Sequence, residues 1–283
     1  MRPLPDGTFS RYVLVDGIRT HYLEAGTGRR LVLLHDGGFG GSARLTWFMN
    51  IGALSNRYHV IAPDWLGFGE TDKIYDFGGN RGRRLRHMTR FLETVCVDEA
   101  AFIGCSMGAT LLLQVAATGE EPWPIAALVS VSGGGFVPLN DARKRALSFD
   151  CTLDSMRTVV STYVHQRQWL DDPRMVAERF TQAISPGAWE AVAAARFKSP
   201  LAPGQRDFGA EDVTPYAKIA VPAMLAAGCH DVLREPNYAA GVAAAIPGVV
   251  LRLFEHSGHL PNIEEADDFN RHVLEFLAVH YPP

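Results

Sequence analysis

Short, wholly apolar runs alternate with amphipathic stretches along most of this chain. Residues 8–26 form two extended segments around Asp16-Gly17, the pattern of a β-hairpin. Arg30–Leu34 reads as a short strand and runs into His35-Asp36-Gly37-Gly38-Phe39-Gly40-Gly41. So many glycines directly after a buried strand permit positive φ and close approach of backbone to a ligand. A helical stretch follows near Ala43–Leu54. Tyr58–Ala62 is the next strand, ending in Pro63-Asp64-Trp65-Leu66-Gly67-Phe68-Gly69. Arg81–Val97 is amphipathic at helical spacing. An apolar run at Ala101–Gly104 comes next, then an Ala/Leu-rich helix, and then the strand Ala126–Val131 with Gly133-Gly134-Gly135 at its end.

From about Pro138 to Pro203 helical patterns dominate. Val221–Ala227 and Val249–Phe254 then restore the strand rhythm around a helix at Tyr238–Ala245, and an amphipathic helix at Asp267–Tyr281 follows. Strands alternating with helices predict an α/β fold with a mostly parallel sheet flanked by helices on both faces. The helical block is expected to be a cap inserted between two late strands, over the strand C-termini where open α/β sheets bind ligands. The expected division is a core of 1–135 and 206–283, with a cap of 136–205.

Composition narrows the function. The chain has 283 residues, 47% hydrophobic and 20% charged, with a formal net charge of −4. That is enough chain for a sizeable core, and its charge balance gives no reason to expect a nucleic-acid partner. The N-terminus lacks the apolar segment of a signal peptide, and no stretch approaches the length of a membrane span. Cys96, Cys105, Cys151 and Cys229 have no paired or metal-type spacing, so free thiols in a reducing cytoplasm are expected. No metal and no other cofactor is expected, since no ligand cluster and no dinucleotide-type glycine loop is visible.

The chemistry centres on Ala101–Leu113. The apolar run ends in Gly104-Cys105-Ser106-Met107-Gly108, and a helical pattern begins at once. This is G-x-S-x-G in a strand–turn–helix setting, which places a serine hydroxyl on a strained, open elbow. Met107 offers its backbone N–H at a helix start, where donors lack intrahelical partners and negative charge is favoured. A serine nucleophile needs a base, and the base needs an orienting acid. His259 follows the last strand in Glu255-His256-Ser257-Gly258-His259-Leu260-Pro261; His256 is its rival but lies closer to the strand. Asp231, in Gly228-Cys229-His230-Asp231, follows the preceding strand and is the candidate acid, with an N-cap or surface turn as its plainer duty.

The order Ser106, Asp231, His259 matches that of the α/β-hydrolases, and the chain resembles that superfamily over nearly its full length. Within it, the chain looks most like the carbon–carbon bond hydrolases that act on ring-cleavage products of aromatic degradation. The likeness lies in HDGGFGGSARLTWFMNIGAL, in APDWLGFGETDK and in DDPRMVAERFTQAI. The resemblance implies an oxyanion hole made by the N–H groups of Met107 and Gly37, with Gly38 allowing the approach; each such donor could contribute about 3–4 kcal/mol to transition-state stabilisation. It also implies that a cap arginine binds the substrate's acid end. Arg179 occupies the matching place, with Arg174 and Arg196 as nearby alternatives.

The chain departs from the resemblance at four positions. Cys105 stands where the relatives carry asparagine, Leu260 where they carry tryptophan, and Thr46 where an asparagine is usual. These three positions are expected to touch substrate. Asp36 replaces a glycine, and a carboxylate beside an oxyanion hole would oppose charge development unless it is paired or points away. The expected activity is hydrolysis of a small-molecule carbonyl compound, in the first instance a vinylogous diketone acid of the 2-hydroxy-6-oxo-dienoate type. An ester or lactone hydrolase with the same triad is the alternative, and a non-hydrolytic lyase or binding protein on the same fold is the second. Homo-oligomerisation is left open.

Overall fold

The computed structural model describes residues 2–3, 7–77, 81–194 and 208–283. Its strands are β1 (Arg2–Pro3), β2 (Phe9–Val15), β3 (Ile18–Ala25), β4 (Arg30–Leu34), β5 (His59–Pro63), β6 (Ala100–Cys105), β7 (Ile125–Val131), β8 (Ala223–Gly228) and β9 (Val250–Phe254). They form one sheet in the order β1-β2-β3-β5-β4-β6-β7-β8-β9. The first three strands and the β3–β5 pairing are antiparallel, and β5 through β9 run parallel. β2 and β3 form the expected hairpin, with Val15 opposite Ile18 across Asp16-Gly17.

Strands covered on both faces cannot alternate polar with apolar residues. Accordingly Leu31–Leu34 and Ala100–Ile103 are fully buried. Helix Arg81–Thr94 is amphipathic and buries Leu85, Met88, Phe91 and Leu92, and helix Ala266–His280 buries Phe269, Val273 and Leu277. The stretch expected as one helix over 43–54 is two, Ala43–Trp47 and Ile51–Ser55. Between them Asn50 spends its side chain on tertiary bonds, donating to the Asn262 carbonyl and the Asn270 amide oxygen at 2.8 Å each.

Sheet order fixes where a ligand can sit. From β4 the chain crosses to β5 on one side, and later returns to β6 on the other. Such a reversal opens a crevice at the strand C-termini. Leu34 and Gly104 lie in register at the ends of β4 and β6, so the glycine-rich loop and the serine elbow emerge side by side. Between β7 and β8 the described chain is helical: Asp141–Leu147, Leu153–Val160, the turn Arg167–Leu170, Arg174–Ala183 with a π-type first turn, and Ala188–Ala193. Of the segment expected as the cap, residues 195–205 lie outside the described residues, as does Arg196.

Candidate active site

Ser106 sits between β6 and helix Met107–Thr118 with φ 53° and ψ −110°. That conformation costs a non-glycine residue on the order of 1–3 kcal/mol. The turn is held from both sides: the Ser106 N–H donates to the Val131 carbonyl at 2.8 Å, and the Thr110 N–H donates to the Ser106 carbonyl at 2.9 Å. The flanking glycines are there for space. A Cβ on Gly104 would lie 2.6 Å from the Ala109 backbone, and one on Gly108 2.5 Å from the Leu34 carbonyl.

His259 Nε2 lies 2.8 Å from Ser106 Oγ, and its Nδ1 lies 2.6 Å from Asp231 Oδ2. Asp231 also accepts the Leu233 N–H at 2.9 Å, which fixes its carboxylate. The His259 N–H donates to the Tyr163 carbonyl at 2.8 Å, tying the histidine to the helical insertion. This serine–imidazole–carboxylate chain can remove the serine proton and return it to a leaving group. The rival His256 is exposed, and Asp212 spends its carboxylate on Thr214 and Tyr216.

Ser106 and His259 open into a cavity of about 500 Å³, together with Gly37, Gly38, Met107 and Leu260. Gly37 packs tightly on Met107: a Cβ there would lie 2.6 Å from the Met107 sulfur. Both backbone segments expected to supply the oxyanion hole therefore border the serine's cavity. Glu264 clamps the histidine loop to the insertion by accepting N–H bonds from Gly258, His165 and Gln166, each at 2.7 Å. Burial pushes its carboxyl up to about 7 despite these donors.

Three of the residues expected to touch substrate do not line the cavity. Arg179, Thr46 and Cys105 are each fully buried, and Asp36, at the cavity wall, gathers the first two. Arg179 Nη1 and Nη2 donate to Asp36 Oδ1 and Oδ2 at 3.2 and 3.1 Å, a bidentate pair. Thr46 Oγ1 donates to the same carboxylate at 2.7 Å, and the Gly38 N–H donates at 2.9 Å. Burial alone would raise the Asp36 pKa; the charge and hydrogen bonds of Arg179 outweigh it and hold the carboxyl well below its ordinary range. Asp36 is thus paired, and the expectation that Arg179 presents its guanidinium to a ligand is corrected: both ends of its fork hold a carboxylate from the chain itself. Cys105 instead points its sulfur toward the Asn262 amide oxygen at 4.0 Å, and burial pushes its thiol up. Arg174 is bonded to Asp172 and lies over Phe48, away from the cavity.

Neighbouring polar residues hold the glycine loop in shape. Burial lowers the His35 pKa and keeps the ring neutral. Its Nδ1 donates to the Asp36 carbonyl at 2.6 Å while Nε2 accepts the Trp65 N–H at 2.9 Å. Asp64 accepts from His21 and from the Ala43 and Glu70 N–H groups; burial opposes its charge, yet these partners bring its pKa to about 2.

Arg143, Arg234 and Tyr163, not among the residues expected at the site, also line the cavity. Only Arg234 carried a signal, lying three residues beyond Asp231 on the same loop. No group of three or more metal-ligating side chains is present among the described residues, and no helix among them is long and apolar enough to cross a membrane.

Comparison with known proteins identifies the family. The model of the alpha/beta hydrolase family matches residues 31–272. A 2-hydroxy-6-oxo-6-(2'-aminophenyl)hexa-2,4-dienoic acid hydrolase of Metapseudomonas resinovorans is 29% identical over 272 residues, covering 95% of this chain and 90% of the relative. A 2-hydroxymuconate semialdehyde hydrolase of Pseudomonas putida is 27% identical over 98% of this chain and 96% of its own. Among solved structures, a serine hydrolase involved in carbazole degradation superposes with a TM-score of 0.81 at 28% identity, covering 96% of this chain and 99% of that one. The chain belongs to the alpha/beta hydrolase family and is a hydrolase of the α/β fold.

Proposed function

We propose that this enzyme uses Ser106 as nucleophile, His259 as proton shuttle and Asp231 as orienting acid to cleave a carbon–carbon bond in a 2-hydroxy-6-oxo-dienoate. The carrying observation is the unbroken chain of short contacts from Asp231 through His259 to Ser106, opening into a cavity of ligand size. The relatives' named activities supply the substrate class. The dienol first becomes a keto acid by proton transfer. Ser106 Oγ then attacks the 6-carbonyl and yields its proton to His259, while the Gly37 and Met107 N–H groups receive the oxyanion. Cleavage expels a carbanion equivalent that takes the proton back from His259, and water releases the acyl group from the serine.

A second reading, an ester or lactone hydrolase with the same residues, is favoured by the Asp36–Arg179 pair. That pair removes from the cavity the anchor the resemblance assigned to a dienoate's acid end. Parallel steady-state assays on a 2-hydroxy-6-oxo-dienoate and a short nitrophenyl ester separate the two readings. Higher kcat/KM on the dienoate is expected, with Ser106→Ala losing roughly 10⁴–10⁶ of turnover while staying folded. Efficient ester cleavage without dienoate turnover selects the second reading. Retention of most activity by Ser106→Ala overturns the serine mechanism and leaves a lyase.

A further inference from the structure

With Arg179 closed by Asp36, the cavity's remaining arginines decide where an acidic substrate can be held. Arg81 is committed to Gln114 and Glu120, and Arg84 lies over Phe68 with contacts to the Leu66 carbonyl and the Met107 sulfur. Arg234 differs. It is 95% buried by its 5% relative exposure, it lines the cavity, and neither its Nε nor its Nη2 has a hydrogen-bond partner among the described residues. Its guanidinium carbon lies 4.2 Å from the centre of the Tyr238 ring, and Tyr238 also hydrogen-bonds the group, which holds it in place while Nε and Nη2 stay unbonded.

Arg143 stands beside it from the helical insertion. Its Nη2 donates to the Leu233 carbonyl at 2.9 Å, its Nε is buried without a partner, and it too lines the cavity. Burial and the neighbouring Arg234 charge draw its pKa down to about 10, against the pull of Tyr163 and Asp231, so it stays cationic at neutral pH. The carboxylates nearby do not bond to either guanidinium: Asp231 holds His259 and the Leu233 N–H, Asp212 holds Thr214 and Tyr216, and Glu211 is exposed. Buried donors without partners are costly, and a cation pair without a bound anion more so.

We propose that Arg234, supported by Arg143, is the carboxylate-binding subsite of this cavity, and that it holds the acid end of the substrate in place of Arg179. Set in the cavity wall, the Arg234 guanidinium offers an arriving carboxylate a positive charge and donors that none of the described residues has claimed. Arg234 follows Asp231 by three residues, so a carboxylate bound there is positioned from the same loop that orients His259. This subsite rests on the proposed hydrolytic use of the cavity but requires no particular scissile bond.

The test pairs two esters of equal chain length, neutral 4-nitrophenyl pentanoate and the acid-terminated 4-nitrophenyl monoester of glutaric acid. Arg234→Met is expected to lower kcat/KM on the acid ester about tenfold more than on the neutral one, with Arg234→Lys restoring part of the difference. Arg143→Met should move the ratio the same way by less, and keeps the test open if Arg234→Met does not fold. Equal losses on both esters, with no rescue by lysine, would mean that Arg234 only supports the Asp231 loop, and would overturn the proposal. A binding arm separates the subsite from catalysis: calorimetry of benzoate and benzamide against Ser106→Ala, with and without Arg234→Met. Loss of benzoate binding alone supports the subsite, even where dienoate turnover is absent and the carbon–carbon cleavage reading falls. Benzoate binding indifferent to Arg234 overturns it.

Discussion

Arg179 and Arg234 are both withdrawn from water, at 0% and 5% exposure, and both belong to the neighbourhood of one cavity. Their partners are opposite. Arg179 meets Asp36 fork to fork and leaves only Nε unbonded, whereas Arg234 rests on an aromatic face with Nε and Nη2 unbonded. A buried guanidinium that is matched by a carboxylate from its own chain is a structural element, since removing either partner strands a charge in low dielectric. A buried guanidinium left open on a cavity retains its binding capacity for something that arrives. The difference lies in one residue: Asp36 supplies from within what a glycine would have left for a ligand.

Stability measurements can break this comparison most directly. Arg179→Met is expected to cost about 3–5 kcal/mol in chemical denaturation, because it leaves Asp36 buried and uncompensated. Arg234→Met should stay within about 1 kcal/mol of wild type, since the lost cation–π contact is offset by relief of unpaired donors. Similar losses in the two variants would erase the distinction between a closed and an open arginine.

A double-mutant cycle sharpens it. Asp36→Asn and Arg179→Met together should cost about 2–3 kcal/mol less than the sum of the single changes, as expected for two groups in direct contact. Acid acts along the same axis. Asp36 has a folded pKa below its ordinary 3.8, so its contribution is full above that value and is lost as pH falls below it. Asp64, at about 2, follows the same sign in both proteins. Wild type should therefore lose more stability than the double variant between pH 5 and the acid limit, and parallel pH profiles would show that the pair contributes nothing.

Much of the fold and of the reactive centre was legible because local pattern and chemistry coincide there. Leu31–Leu34 and Ala101–Ile103 are buried on both faces, so their apolar runs report a parallel sheet without reference to anything distant. The G-x-S-x-G turn has one workable geometry, and chain order brought Asp231 and His259 to it across 125 and 28 residues that sequence alone cannot fold. The pairing of Asp36 with Arg179 was not legible in the same way. It joins residues 143 apart in sequence, and no periodicity or turn signal encodes which buried charge meets which. The split of the helix at Asn50 falls where that side chain bonds Asn262 and Asn270, far along the chain and invisible to local pattern. The resemblance put Thr46 and Arg179 against substrate, whereas here both are turned onto Asp36, itself a departure from the relatives, and Cys105 faces Asn262.

Thr46 offers the finest test of that account. Its hydroxyl donates to Asp36 Oδ2 at 2.7 Å and is fully buried away from the cavity. Thr46→Val keeps the shape and removes one hydrogen bond to a charged group, so a loss of about 1–2 kcal/mol in stability is expected. The ratio of kcat/KM on the acid ester to that on the neutral ester should not move, because Thr46 touches the internal carboxylate rather than the arriving one. A residue that contacted substrate would behave in the reverse way, altering KM for one ester while leaving the denaturation midpoint in place. Such a result would return Thr46 to the substrate and, with it, reopen Arg179 as the group that reads the substrate's acid end.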